Sequence, residues 1–175
     1  MPSSSLSPEE QAELGHLLAV VVEQDKGFIP DSAYRFIHKL VPWPAVEVLI
    51  YDDGGRFLLS HRDDDFKGWH IPGGYMKPGQ SYQDACDYHV RKEGIADGVS
   101  SLELIGTHTW LHREHPFGYP ISLIIACRAT SEVTERDDLK WFTENPPDVI
   151  PQNVPRYLAY FQKWFKGDRE SAAIL

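Results

Sequence analysis

The sequence predicts an α+β fold, a sandwich in which helices cover a sheet. Three observations carry that expectation. Residues 45–62 read as two apolar strands around a tight turn, and residues 72–96 as a glycine-rich loop that runs into a helix. After them come two longer strands, a short one and a closing helix. Strands in runs with helices between them belong to this layered class.

Each element has its own local reason. Ser7-Pro8-Glu9-Glu10 is a helix start, with Ser as N-cap, Pro at the first helical position and Glu three residues after the cap. Leu14, Leu17, Leu18 and Val21 follow at helical spacing, and the helix is expected to end near Gly27. A second helix opens at Pro30-Asp31, carries Tyr34, Ile37 and Val41 on one face, and stops at Pro42 and Pro44. Ala45 to Tyr51 is β-branched and apolar, hence a strand; Asp52-Asp53-Gly54-Gly55 is its turn and Arg56 to Arg62 the return. Gly68 to Ile71 forms a short strand before the glycine loop. Leu102–Leu111 and Ile121–Ala129 read as strands joined by the loop 112–120. Asp137 to Phe142 is a strand broken by Asn145-Pro146-Pro147, and Pro155 to Lys166 is a helix with Tyr157, Tyr160, Phe161 and Trp164 on one side. The expected division is a helical extension over 1–29 and a domain over 30–175.

Composition narrows the class of function. With 42% apolar and 12% aromatic residues, the 175-residue chain can bury a core. A net charge of -9 argues against a nucleic-acid or anionic-membrane surface, so any phosphate must meet a local cation cluster or a metal. No apolar run approaches the ~20 residues that span a bilayer. Cys86 and Cys127 make no CxxC and no framework, and MPSSSLSPEE has no secretory pattern. Together these give the expectation of a reduced, cytoplasmic protein.

The stretch 72–96, PGGYMKPGQSYQDACDYHVRKEGIA, opens with Pro-Gly-Gly, turns at Pro78-Gly79, and has no Gly or Pro again until Gly94. Asp84 and Asp87 suit the start of a helix, Arg91 and Lys92 its end, and Gly94 its cap. Tyr82, Cys86, His89 and Glu93 share one face, with Ala85 and Val90 beside them. A glycine loop facing a helix that carries His and Glu could hold a hard cation and a phosphate. An ordinary surface helix after an ordinary turn is the plainer reading of the same spacing.

This loop-helix unit resembles a Nudix box, whose pattern is Gly, five residues, Glu, seven residues, then Arg-Glu-apolar-any-Glu-Glu-any-Gly-apolar. Counted from Gly74, the pattern puts its first Glu at Gln80, its Arg at Tyr88, its next Glu at His89 and its Glu pair at Lys92 and Glu93. Its final Gly and apolar residue fall on Ile95 and Ala96. The surroundings match better: Leu58 to Arg62, then Gly68-Trp69-His70-Ile71-Pro72-Gly73-Gly74, resembles the family's lead-in, and Asp137 to Phe142 its late acidic-to-Trp strand.

The resemblance covers about residues 30 to 166 and implies a Nudix-type α/β/α sandwich with a mixed sheet. Within the family the likeness is nearest to GDP-mannose mannosyl hydrolases, which also have a degenerate box and hold one Mg2+. Their ligand positions fall on the Gly74 carbonyl, Glu93 and Glu135, and the position of their histidine base falls on Arg136. With Gln80, His89, Lys92 and Glu93 in place of four glutamates, the charge of the cluster goes from minus four to zero, which leaves room for one Mg2+ or Mn2+. Lys92 tied to Glu93 would instead make a metal-free phosphate binder.

Other candidates surround the box. Arg62 ends an apolar strand and could clamp a phosphate, or be a solvated strand end. His108, His112 and His115 lie in or near one strand-loop segment, and His112 or His115 is the expected proton acceptor. Trp110, Phe117 and Tyr119 could stack a base or sugar, or cap the core under the loop. Cys86 and Cys127 read as small core residues. Two functions follow. One is a Nudix-type hydrolase of a small nucleotide-diphosphate substrate such as a nucleotide sugar, with one Mg2+ or Mn2+ and, by analogy, a homodimer. The other is a catalytically silent Nudix-fold module that binds a nucleotide or a protein.

Overall fold

The computed structural model describes residues 6–23, 31–64, 66–95, 99–100, 102–111, 118–150 and 154–168. Helix α1, Pro8–Glu23, starts on a closed capping box. The Ser7 amide donates to Glu10 Oε2 over 2.7 Å, and the Glu10 amide donates to Ser7 Oγ over 3.2 Å. The expected end of this helix near Gly27 lies outside the described residues. Helix α2 is Asp31–Leu40. The chain forms two compact units, Met1–Ile37 and His38–Leu175.

The second unit is built on a mixed sheet of seven strands: β1 Pro44–Tyr51, β2 Phe57–Arg62, β3 Gly68–His70, β4 Gly73–Tyr75, β5 Glu103–Thr109, β6 Ile121–Arg128 and β7 Leu139–Phe142. Its order is β3-β2-β1-β6-β5, with β4 on β1 and β7 on β2. β1 pairs with β6 in parallel and with β2 and β4 antiparallel. The Asp52–Gly55 turn is closed by the Gly55 amide on the Asp52 carbonyl, 3.0 Å, and Gly55 has φ 76°. That left-handed conformation is cheap for glycine alone.

Side-chain alternation along the strands divides the core into two layers. Val46, Val48 and Ile50 of β1 join Leu58, Ile125 and Cys127 beneath Ala85, Cys86 and Val90 of helix α3, Tyr82–Lys92. Leu49 and, on neighbouring strands, Phe57, Leu59, Ile105 and Ile124 face Tyr157, Leu158, Phe161 and Trp164 of helix α4, Val154–Phe165. Helices therefore cover both faces, and the fold is the expected α/β/α sandwich with a mixed sheet.

One strand was not expected. Residues 73–75, which read as loop, pair with β1 in the register Ala45↔Tyr75, Val46↔Gly74 and Glu47↔Gly73. Two of the three residues are glycines, which have no strand preference of their own, so the pairing comes entirely from β1. A Cβ at Gly73 would lie 2.2 Å from the Val46 carbonyl oxygen, a clash with backbone that explains why glycine stands there.

Candidate active site

The box helix is fixed at both ends. Ser81 is the N-cap, and the Ser81–Asp84 capping box is closed in both directions. At the other end Gly94 has φ 80°, and the Gly94 and Ile95 amides donate to the Arg91 and Val90 carbonyls. Arg136 adds a cation there: its Nη1 donates to the Glu93 carbonyl over 3.0 Å. A guanidinium beside unpaired helix carbonyls complements the helix dipole. Arg136, which alignment places where a base would be, is thus engaged as a helix cap.

Of the face expected to be shared, Ala85, Cys86, His89 and Val90 are buried, while Tyr82 is exposed. His89 packs against the backbone of Gly74, where a Cβ would sit 2.6 Å from its Cε1. Burial holds the imidazole below its usual pKa, against a hydrogen bond to the Tyr75 backbone, and the nearby Lys92 and Lys77 cations push the same way. Its Nε2 is buried with no hydrogen-bond partner among the described residues.

Glu93 is partly buried and takes a hydrogen bond from Ser60 Oγ of β2, 2.8 Å, on Oε2. Glu135 takes one from the Trp141 amide, 2.8 Å, on Oε1. The remaining oxygen of each carboxylate has no hydrogen-bond partner among the described residues. Lys92 is exposed and forms no ion pair among them, so Glu93 is held by a serine and not by its neighbouring lysine.

Of the expected carbonyl ligand, the ladder says something specific. The Val48 amide donates to the Pro72 carbonyl and the Met76 amide to that of Pro44. Hydrogen-bonded pairs alternate in an antiparallel ladder, so Val46 and Gly74 form the bonded pair between them. The Gly74 carbonyl is committed to Val46, whereas the Gly73 carbonyl points away from β1. Of the two glycine carbonyls, that of Gly73 is therefore the one not engaged with β1.

Among the described residues no three His, Cys, Asp or Glu side chains converge to hold a metal. The carboxylates in the box register and before the late strand, Glu93 and Glu135, each keep one oxygen open, a donor type that suits an oxygen-preferring ion. They do not fit the multi-ion cluster of a complete box.

Arg62 is paired. Its Nε lies 3.1 Å from Asp64 Oδ2, its Nη2 contacts the same oxygen, and the guanidinium sits 5.7 Å from the Phe66 ring centroid. Trp110 is buried, stacked on His108 with centroids 5.5 Å apart, and donates from Nε1 to Ser122 Oγ over 2.9 Å. His108 is bonded to the Tyr157 hydroxyl, 2.7 Å, and ties β5 to α4. Tyr119 is exposed. His112, His115 and Phe117 lie outside the described residues. Cys86 and Cys127 are free and fully buried; burial pushes the Cys86 thiol up to about 12, and that of Cys127 up as well. Both are the small core residues expected.

Two groups escaped sequence reasoning. His70 on β3 pairs in register with Ser60, and its Nδ1 bonds the Ile71 carbonyl at 2.8 Å. Burial drops its pKa to about 4, and Arg62 and Lys92 favour the neutral ring further. Glu47 on β1 accepts a hydrogen bond from Ser122 Oγ, 3.2 Å, on Oε1. Burial raises its pKa to about 7, against the Ser122 hydrogen bond and the Arg62 charge, which both lower it. The signal for Glu47 was present: a carboxylate at an inward position of AVEVLIY, between Ala45 and Leu49.

No helix among the described residues is long and apolar enough to cross a membrane. The chain is similar in fold to a MutT protein from Methanosarcina mazei Go1, with TM-score 0.56 and 19% identity over 71% of this chain and 96% of that one. It is similar to an ADP-ribose pyrophosphatase from Streptococcus suis 89-1591, with TM-score 0.56 and 18% identity over 77% and 100%. A UDP-X diphosphatase matches with TM-score 0.59 and 12% identity over 98% of this chain and 89% of that one. No curated protein sequence matches the chain. The model of the NUDIX domain matches residues 41–165, and the chain therefore belongs to the Nudix family.

Proposed function

We propose that this protein hydrolyses a nucleoside diphosphate linked to a further moiety, a nucleotide sugar of the GDP-mannose kind, with a single Mg2+ or Mn2+. The observation that carries the reading is the Ser60–Glu93 hydrogen bond, which orients the last box carboxylate and leaves its second oxygen open. The names of two structural neighbours, an ADP-ribose pyrophosphatase and a UDP-X diphosphatase, support a diphosphate linkage as the target.

Glu93, Glu135 and the carbonyl of Gly73, next to Gly74, would hold the ion. When bound, it would offset the diphosphate charge and acidify a water. Arg62 exchanges Asp64 for a phosphate, for which its fork of donors is suited. His112 or His115 takes the proton of the attacking water. Trp110, Phe117 and Tyr119 are the aromatic candidates for contact with the base or sugar, with Trp110, itself buried, acting through Ser122. A second reading, a silent module that binds a nucleotide or a protein, draws on the replacement of three box glutamates by Gln80, His89 and Lys92.

Phosphorus NMR of the products separates the readings. The protein is incubated with GDP-mannose, UDP-glucose or ADP-ribose and Mg2+. A nucleoside diphosphate product reports attack at the sugar carbon, and a monophosphate plus sugar phosphate reports attack at phosphorus. Binding of these compounds without any product overturns the hydrolase and leaves the binding module.

A further inference from the structure

We propose that Glu47 is a specificity-determining residue that accepts a hydrogen bond from a hydroxyl or N–H donor on the neutral part of the ligand. The inference rests on the nucleotide-diphosphate reading above and deepens it. Glu47 lies on the α4 face of β1, and its register partner on β4 is Gly73, the first glycine of Pro-Gly-Gly. A Cβ at Gly73 would come within 3.1 Å of Glu47 Oε2, so that oxygen lies directly over the glycine. In the reading above the ion sits at the Gly73 carbonyl, and the carboxylate over that glycine is then a neighbour of the bound diphosphate.

With Glu47 ionised, the polarity of the network is fixed. An indole N–H can only donate, so Trp110 donates to Ser122 Oγ, over 2.9 Å. The Ser122 hydroxyl then has its own proton free, and it points at Glu47 Oε1. Ser122 is 1% exposed and Trp110 9%, so this chain is rigidly held across β1, β6 and the end of β5. Oε1 is taken as an acceptor, and Oε2 remains. Glu47 itself is only partly buried. A carboxylate repels phosphate, so the group it meets carries donors: sugar hydroxyls, or the N–H edge of a base.

This polarity makes an unusual test possible. In Glu47→Gln the amide must turn its carbonyl to the Ser122 proton, which presents its NH2 to the ligand and replaces an acceptor by a donor. Affinities of GDP, ADP, GDP-mannose, ADP-ribose and inorganic pyrophosphate are measured by calorimetry for the wild type, Glu47→Gln and Glu47→Gln/Ser122→Ala. The expected result is at least a tenfold loss for the nucleotides in Glu47→Gln, with pyrophosphate unchanged within twofold. The double variant, whose amide is free to turn, recovers part of the loss. Loss for the sugar-linked compounds alone places the donor on the added sugar; loss for GDP or ADP as well places it on the nucleoside. Glu47→Gln binding all ligands within twofold of wild type overturns the assignment. So does a loss shared equally by pyrophosphate, or a wild type that binds pyrophosphate and no nucleotide. Glu47-dependent binding without turnover leaves this inference standing and overturns the hydrolase.

Discussion

The hydroxyl of Ser60, 5% exposed on β2, donates to Oε2 of Glu93 across 2.8 Å, joining the sheet to the last turn of the box helix. Ser60→Ala removes that tether and leaves Glu93 to choose its own rotamer. Stability should fall by about 1 kcal/mol, the usual net worth of such a bond. Turnover should fall more than substrate affinity. Urea unfolding and steady-state kinetics check both.

Gly74 has φ 154°, and its Cα hydrogens face the His89 ring. Gly74→Ala should cost about 2–4 kcal/mol from backbone strain and overpacking combined. His89→Ala opens the space but does not relieve the backbone. In the His89→Ala background the Gly74→Ala cost should therefore shrink without vanishing. A double-mutant cycle by urea unfolding reads the coupling directly, and an unchanged cost would contradict the contact.

Glu47 makes stability depend on pH. Its carboxyl has a folded pKa of about 7 against an ordinary 4.5, so between those values the folded protein holds a proton that the unfolded chain releases. The contribution is full below about pH 4.5 and is lost as pH rises through about 7, a difference of up to about 3 kcal/mol. Glu47→Gln should flatten the fall in stability between pH 5 and 8, as followed by urea midpoints. Parallel curves for the two proteins would contradict it.

Lys92 stands where a complete box has a glutamate and adds a positive charge near His70 and His89. Lys92→Glu restores one carboxylate and removes that charge. Mn2+ affinity should rise by about tenfold, near 1.4 kcal/mol. The pKa values of His70 and His89 should move up, as read by histidine ring NMR. An unchanged affinity would place Lys92 away from the ion.

Local signals carried most of the architecture. The Ser7 capping box, the Gly55 turn, the Gly94 cap and the β-branched, apolar run Ala45–Tyr51 are all written within a few residues, and the structure repeats them. Contacts between distant residues were not legible. The β4 pairing depends on β1, and Ser60 gives no sign in FLLSHR that it will meet a carboxylate 33 positions later. Nothing in the sequence around Arg136 shows that it will meet the carbonyl of Glu93, 43 positions away. Glu47 was legible in part, since an acid at an inward strand position requires a partner, but Ser122 and Trp110 are joined to it only by the fold.

The most direct test of the central claim is a Mn2+ titration followed by electron paramagnetic resonance, on the wild type and Glu93→Gln. The account predicts one bound ion per chain in the wild type and loss of that site in the variant, with thermal stability of the unliganded protein little changed. No bound ion in the wild type, two or more, or one that survives Glu93→Gln would contradict it.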